Sequence, residues 1–127
     1  MKMISFLIPC YRSGETLPGV VREIQDVMGK MEDTVYEIVL VNDCSPDDTY
    51  EVIKKLCKEN DNITGIDLAK NFGQHSALMA GFRHAKGDIV ICLDDDGQTP
   101  AQEADKLIKA IEEGADVVYA KYVHKHH

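Results

Sequence analysis

Residues 89–96 read Ile-Val-Ile-Cys-Leu-Asp-Asp-Asp, an apolar run that passes directly into three carboxylates. A run this short with no polar alternation predicts a strand that is buried on both faces. Buried strands of this kind occur in parallel sheets that are covered by helices on both sides. The three aspartates follow without a spacer, so they fall where the predicted strand leaves the core.

The chain on either side of this stretch alternates strand patterns with helix patterns. Apolar runs predict further strands over 3–8, which Pro9 ends, and over 37–41, 63–68 and 116–123. Apolar residues at steps of three and four predict a helix over 15–31. Further helices are predicted over 73–86 and 100–113, which Gly87 and Gly114 follow. Ser45 as a cap and Pro46 as the first residue predict another helix, which ends near residue 59. Together these patterns predict an α/β fold with a mostly parallel sheet of about five strands and helices on both faces.

Length and composition exclude several classes of protein. The 127 residues allow one domain, and the formal charge of −8 argues against a protein that binds nucleic acid through phosphate contacts. No apolar run approaches the roughly 20 residues of a membrane span, and residues 4–9 are too short for a signal peptide. Cys10, Cys44 and Cys92 lie in or beside apolar runs, which predicts buried thiols in a reduced, cytoplasmic protein.

The residues that follow the predicted strands are the candidates for function. Right-handed crossovers place the C-terminal ends of parallel strands at one edge, and ligands of open α/β sheets bind outside that edge. Asp43 can accept a hydrogen bond from a base N–H or a ribose hydroxyl there, or it can be a cap or turn residue. Pro9 and Tyr11 can form a wall on which a base stacks, or they can belong to ordinary packing.

The acidic run after the fourth strand predicts a cation site. Asp94 and Asp96 point to the same side, about 7 Å apart at Cα, whereas Asp95 points to the other. Two carboxylates about 6 Å apart repel by roughly 3 kcal/mol at an effective dielectric constant of 20. Bound Mg²⁺ or Mn²⁺ removes that cost, and Gln98 can add a neutral oxygen. The alternative is a solvated loop that caps the next helix.

A cation would also reconcile an acidic protein with an anionic ligand such as a nucleoside diphosphate. Lys70, Arg12 and Arg83 can assist in neutralising the diphosphate, or they can be ordinary surface cations.

Four stretches resemble the family 2 glycosyltransferases of the GT-A fold. Residues 8–15 resemble the opening I/V-P-x-Y-N segment, with Arg12 where Asn is usual. Residues 41–49 resemble the V-D/N-D-x-S-x-D-x-T segment, and residues 68–73 resemble an R/K-N-F/x-G loop. Gly81 and residues 85–88 precede a strand that ends in the D-x-D element. The four stretches follow one another in the order of the family and cover almost the whole chain.

Residues 71–73 and 93–100 look most like the polyprenyl-phosphate sugar transferases, the dolichol-phosphate-mannose-synthase-like branch. Gly97 and Thr99 depart from that branch, which often has Leu and Asp or His there. The resemblance implies metal ligands Asp94, Asp96 and Gln98, and catalytic residues Asp96 and Lys121. Lys121 stands where the branch often has an Arg that meets the acceptor phosphate. The residues implied to bind the nucleotide sugar are Pro9, Tyr11, Arg12, Glu15, Asp43, Lys70, Asn71, Gly73, Asp94 and Asp95.

The implied reaction is the inverting, metal-dependent transfer of a sugar from a UDP- or GDP-linked donor to an acceptor, which we expect to be a polyprenyl phosphate. Residues 1–127 are expected to form one nucleotide-sugar-binding domain, the N-terminal portion of a longer enzyme, which turns over poorly alone. We expect a cytoplasmic location at the inner membrane face, with membrane contact only through segments outside this chain. A homo-oligomer is compatible with the sequence.

Other readings remain open. The acceptor can instead be a saccharide hydroxyl in cell-surface polysaccharide synthesis, or the chain can be a non-catalytic nucleotide-binding module. A receiver domain or a Mg²⁺-dependent phosphatase needs an acidic residue after the first strand, where this chain has residues 9–12, Pro-Cys-Tyr-Arg. The sequence does not reveal the base or the sugar.

Overall fold

The computed structural model describes residues 2–30, 34–68, 74–93 and 117–119. Within these ranges, strands and helices alternate: β1 (Lys2–Cys10), α1 (Leu17–Met28), β2 (Thr34–Asn42), α2 (Thr49–Glu59), β3 (Ile63–Asp67), α3 (Gln74–His84), β4 (Ile89–Cys92) and β5 (Val117–Tyr119). The strands form one parallel sheet in the order β3-β2-β1-β4-β5. This confirms the predicted α/β fold and the five parallel strands. The helix predicted over 100–113 lies outside the described residues.

The central strand β1 is buried on both faces of the sheet. Ile4, Phe6 and Ile8 face the cluster that contains the apolar residues of α1 and α2. Leu7 faces the opposite cluster, which includes Ala77 of α3. The alternation of side chains along a strand therefore divides β1 between two apolar layers, which explains why its sequence is apolar at successive positions.

The prediction that Pro9 ends the first strand is wrong, because β1 continues through Pro9 to Cys10. The Leu7 carbonyl accepts a hydrogen bond from Leu93 N–H at 3.0 Å, so the backbone polar groups of Leu7 point toward β4. The backbone nitrogen of Pro9, two residues later, points to the same side, but the pairing of β1 with β4 ends at Leu7 and Cys92. The missing N–H of Pro9 therefore lies beyond the paired part of β4 and removes no hydrogen bond from the β1–β4 pairing, as proline in a sheet requires.

Other boundaries also differ from the sequence predictions. Helix α2 begins at Thr49 instead of Pro46, and Ser45 does not cap it, because the Ser45 hydroxyl donates to the Asp47 carboxylate. Helix α1 begins at Leu17 instead of residue 15 and ends at Met28. Strand β2 is longer than predicted, since its whole length pairs with β1.

Helix α3 approaches β1 very closely. A Cβ added at Gly81 would lie 1.9 Å from Leu7 Cδ1, so only glycine allows this approach. After α3, a buried polar cluster secures the start of β4. The Glu37 carboxylate accepts from Ser5 Oγ at 2.5 Å and from Lys86 N–H at 2.6 Å, and Ser5 Oγ accepts from Gly87 N–H at 2.8 Å. These contacts fix the connection between α3 and β4.

All four cysteines lie in the described ranges, and none forms a disulfide. Cys10 and Cys92 are buried as predicted, and burial raises the pKa of Cys92 to about 11. The prediction for Cys44 is wrong, because this residue is exposed in the loop after β2. Strand β2 itself ends two residues earlier, at Asn42. Among the described residues, no helix is long and apolar enough to cross a membrane.

Candidate functional site

The C-terminal ends of the strands meet at one edge of the sheet. Asp43 N–H donates to the Cys10 carbonyl at 3.0 Å and joins the ends of β1 and β2. Leu68 N–H donates to the Asn42 carbonyl, also at 3.0 Å, and joins the end of β3 to β2. Leu93 N–H donates to the Leu7 carbonyl in the same manner, at 3.0 Å. The edge therefore gathers the described parts of the segments that the sequence singled out.

Asp43 is the residue of this edge that calls for a ligand. Its side chain is only 5% exposed, and Oδ1 has no hydrogen-bond partner among the described residues. Leaving a buried charged acceptor unsatisfied costs more than the 1–3 kcal/mol typical of a neutral group. Ser13, which is 4% exposed, has an Oγ in the same condition. Two buried acceptors at one edge favour a ligand that brings N–H or O–H donors.

The loop after β1 presents an aromatic ring and a cation. Tyr11 is 41% exposed, and the Arg12 guanidinium carbon lies 5.5 Å from the centre of its ring. Arg12 therefore lies over one face of the Tyr11 ring. Pro9 is buried within β1, so the accessible surface of the predicted stacking wall belongs to Tyr11. Glu15 is exposed in the turn that precedes α1.

Both loops contain a residue in the left-handed region of backbone conformation. Arg12 and Cys44 each have φ of 53°, which residues other than glycine adopt at a cost. Arg12 N–H donates to Ser45 Oγ at 2.9 Å, and Ser45 N–H donates to Asn42 Oδ1 at 3.2 Å. Asn42 in turn donates to Asp67 Oδ1 at 2.8 Å. Polar side chains thus tie the two strained loops and the end of β3 together.

Asp47 lies at the centre of this hydrogen-bond network, a role that the sequence analysis missed. Its Oδ1 accepts from the Ser45 hydroxyl, from the Thr49 hydroxyl at 2.6 Å and from Thr49 N–H at 3.1 Å. These hydrogen bonds, first those from Ser45 and then those from Thr49, lower the pKa of Asp47 from 3.8 to about 2. The available signal was the S-x-D-x-T spacing of residues 45–49, which places both hydroxyls two residues from the carboxylate.

The remaining predicted site residues lie outside the described residues: Lys70, Asn71, Gly73, Asp94, Asp95, Asp96, Gln98 and Lys121. The described ranges contain no group of three His, Cys, Asp or Glu residues that could hold a metal ion. The predicted donor set is two carboxylates and one amide oxygen, which is the oxygen-rich chemistry that Mg²⁺ and Mn²⁺ prefer. The residues present therefore fit the predicted cation.

The family model described as "Glycosyl transferase family 2" matches residues 5–126. This chain belongs to glycosyl transferase family 2. A similar family 2 relative is the undecaprenyl-phosphate 4-deoxy-4-formamido-L-arabinose transferase of Pseudomonas syringae pv. syringae (strain B728a). The two are 39% identical over 119 residues, which cover 93% of this chain and 35% of that protein.

Solved structures show the same glycosyltransferase fold. TarS 1-349 of S. aureus in complex with UDP superposes with a TM-score of 0.67 and 24% identity over 89% of this chain and 32% of that one. The mannosyltransferase PcManGT of Pyrobaculum calidifontis, in complex with GDP-Man and Mn²⁺, gives 0.65 and 24% over 86% and 31%. The mannosyl-3-phosphoglycerate synthase of Rubrobacter xylanophilus gives 0.71 and 18% over 89% and 37%.

The family 2 chain described here spans about a third of the length of each of these proteins. The segments at residues 8–15 and 41–49, which carry the resemblance in the sequence, adjoin where Asp43 N–H donates to the Cys10 carbonyl.

Proposed function

We propose that this chain is the donor-binding part of an inverting, metal-dependent glycosyltransferase that transfers a sugar from a UDP- or GDP-linked donor to a polyprenyl phosphate. The observation that carries the proposal is Asp43 Oδ1, a buried acceptor without a partner among the described residues, at the edge where parallel α/β sheets bind ligands. The family assignment supports sugar transfer as the reaction. Structural neighbours in complex with UDP, or with GDP-Man and Mn²⁺, support the class of donor.

The described residues suit the nucleoside end of such a donor. Asp43 accepts a hydrogen bond from a base N–H or from a ribose hydroxyl, which satisfies its buried oxygen. Tyr11 offers its exposed ring to the base, and base–aromatic stacking contributes about 1–3 kcal/mol. Arg12 lies over that ring, and its positive charge is proposed to pair with the diphosphate. Lys70, Asn71, Gly73, Glu15 and Asp95 are proposed to complete the contacts with the donor.

The diphosphate end of the donor falls to the segment that leaves β4. Leu93 is fixed to β1 by its hydrogen bond to Leu7, so the acidic run starts at a defined point of the edge. Asp94, Asp96 and Gln98 would hold Mg²⁺ or Mn²⁺. When bound, such a cation neutralises the charge that develops on the departing nucleoside diphosphate. The acceptor oxygen forms its bond to the anomeric carbon on the face opposite to the bond that breaks, which inverts the configuration.

The acceptor proposal rests on the relative from P. syringae, whose name specifies undecaprenyl phosphate. A phosphate oxygen is already anionic at neutral pH, so it attacks with little help from a general base. Lys121 is proposed to bind that phosphate. With a lipid-linked acceptor, the enzyme is proposed to work at the inner membrane face, and residues 1–127 are proposed to be its nucleotide-sugar-binding domain.

Calorimetric titration of this chain with UDP, GDP and ADP, each with and without Mn²⁺, tests the proposal. We expect UDP or GDP to bind only with Mn²⁺, and ADP to bind least. Asp43→Asn keeps an acceptor oxygen but removes the charge, and binding should weaken about tenfold, since a hydrogen bond to a charged group contributes about 1.5–3 kcal/mol and one between neutral groups about 0.5–1.5 kcal/mol. Asp61→Asn is the matched control. Asp61 is exposed in the turn before β3, at the end of the strand that lies away from the candidate site. Asp96→Asn should reduce the nucleotide binding measured with Mn²⁺ to the level measured without it.

Two results would contradict the proposal. One is the absence of any Mn²⁺-dependent binding of UDP or GDP to the folded chain. The other is equal binding by the parent, Asp43→Asn and Asp61→Asn proteins, which would place the nucleotide away from this edge.

A further inference from the structure

The loops that follow β1 and β2 are both held in strained conformations. Arg12 and Cys44 are the residues other than glycine with positive φ in the described part of the chain, and both have φ of 53°. Strained backbone persists where surrounding contacts over-determine it, and it concentrates at functional sites. The contacts that hold the loops around Arg12 and Cys44 are therefore candidates for a role in the proposed function.

Two backbone N–H groups of the β1 loop are held by hydroxyls from the β2 loop. Ser45 Oγ accepts from Arg12 N–H at 2.9 Å, and Thr49 Oγ1 accepts from Ser13 N–H at 3.0 Å. The two hydroxyl oxygens lie 3.3 Å apart, and each directs its own proton to Asp47 Oδ1. A hydroxyl that donates to a carboxylate keeps its lone pairs for the incoming backbone N–H. One carboxylate oxygen therefore orients both acceptors of the β1 loop.

This arrangement connects Asp47 to the nucleotide site without contact between Asp47 and the nucleotide. The residues on which the donor is proposed to depend, Tyr11 and Arg12, lie in the loop held by the two hydroxyls. Asp43 lies against the same loop, because its N–H donates to the Cys10 carbonyl. The spacing between the Tyr11 ring and the Asp43 carboxylate is thus set by how the two loops are joined.

We propose that Asp47 is a positioning residue for nucleotide binding: through the Ser45 and Thr49 hydroxyls it holds the Tyr11–Ser13 backbone against the Asp43 loop. This inference rests on the proposed function, and it assigns to the S-x-D-x-T part of the segment a role other than ligand contact. It predicts that the acceptor oxygen of residue 47 matters and that its negative charge does not.

Three substitutions separate these possibilities. Asp47→Ala removes the oxygen that orients both hydroxyls, Asp47→Asn keeps an oxygen at Oδ1 and removes the charge, and Asp48→Asn is the matched control. Asp48 is the adjacent carboxylate and makes no side-chain cap hydrogen bond to α2. Ser45→Ala tests the same role by removing the acceptor of Arg12 N–H directly. It keeps the test available if Asp47→Ala does not fold.

The readouts are the dissociation constants of UDP and GDP with Mn²⁺ by calorimetry, and the amide hydrogen exchange of Arg12 and Ser13 by NMR. We expect Asp47→Ala and Ser45→Ala to weaken binding by roughly tenfold and to speed exchange at Arg12, with unchanged exchange in β1 and β2. Asp47→Asn should bind within about threefold of the parent, and Asp48→Asn should match the parent.

The outcomes distinguish this inference from the function on which it rests. If the parent binds and Asp47→Ala or Ser45→Ala binds equally well, the positioning role is refuted while the proposed function stands. If Asp47→Asn is as weak as Asp47→Ala, the charge is what matters, and the positioning role is refuted as well. If the parent binds neither nucleotide with Mn²⁺, the proposed function fails and this inference fails with it.

Discussion

Two helical glycines of this chain predict opposite responses to the same substitution. Gly19 lies in α1, and a Cβ added there meets no atom within 4 Å. Gly81 lies in α3, and a Cβ added there would lie 1.9 Å from Leu7 Cδ1 and 3.0 Å from both Cδ2 and Cγ. Gly19→Ala is therefore the matched control for Gly81→Ala, since both changes replace glycine by alanine inside a helix.

The magnitudes follow from this geometry. Replacing a helical glycine by alanine gains about 0.8–1.0 kcal/mol, and Gly19→Ala should show that gain. Overpacking a core costs about 1–3 kcal/mol, and Gly81→Ala should lie at the upper end, because three Leu7 atoms are too close for one rotation to clear. The net loss for Gly81→Ala is then about 2 kcal/mol, which separates the two variants by roughly 3 kcal/mol.

Urea unfolding followed by far-ultraviolet circular dichroism measures both changes. A gap of about 3 kcal/mol corresponds to a difference of roughly 10 °C in Tm for a chain of this size. In a Leu7→Ala background, Gly81→Ala should cease to be destabilising, because the clashing atoms are gone. Equal stability of the Gly81→Ala and Gly19→Ala proteins would refute the close approach of α3 to β1.

Three further predictions concern the polar groups and the thiols. Glu37→Ala should lower the free energy of unfolding by about 2 kcal/mol or more, because Ser5 Oγ and Lys86 N–H lose a buried acceptor, whereas Glu37→Gln should lose less. Because the folded pKa of Asp47 lies below its ordinary 3.8, its contribution is complete above that value and lost as pH falls through about 2, so a ¹³C titration of its carboxyl should show a midpoint near 2. Iodoacetamide and mass spectrometry should find Cys44 labelled first and the buried Cys10 and Cys92 last in the native protein, with UDP or GDP plus Mn²⁺ slowing the reaction of Cys44.

The sequence predicted the layers of the fold better than the ends of its elements. Strands that are apolar on both faces predict a covered parallel sheet, and β1, β2 and β4 confirm this because both sides of each are buried. Strand ends depend on partners that sequence patterns do not show. Pro9 is tolerated within β1 because β4 ends before it can pair there, and only the register reveals this.

The site was predicted in part, for a similar reason. Asp43 was singled out because it follows a buried strand, and its burial at the sheet edge agrees with that choice. Ser45 was interpreted as a helix cap, since serine before proline and acidic residues is a common helix start. In the structure, Ser45 Oγ instead accepts a hydrogen bond from Arg12 N–H in the β1 loop, 33 residues earlier in the chain. That contact is long-range and leaves no local pattern, so the S-x-D-x-T spacing could indicate the bonds of Asp47 to Ser45 and Thr49 but not their connection to the β1 loop.

Contacts at both ends of β4 fix its register against β1. At the amino end, Asp88 N–H donates to the Met3 carbonyl at 2.7 Å, and the Asp88 carboxylate accepts from Met3 N–H at 3.0 Å. At the carboxyl end, Leu93 N–H donates to the Leu7 carbonyl. A slip of β4 by one residue would turn every side chain to the opposite face and would break the hydrogen bonds at both ends together. The polar turn at residues 87–88 and the cluster around Glu37 therefore hold the register of β4, on which the position of Leu93 against Leu7 depends.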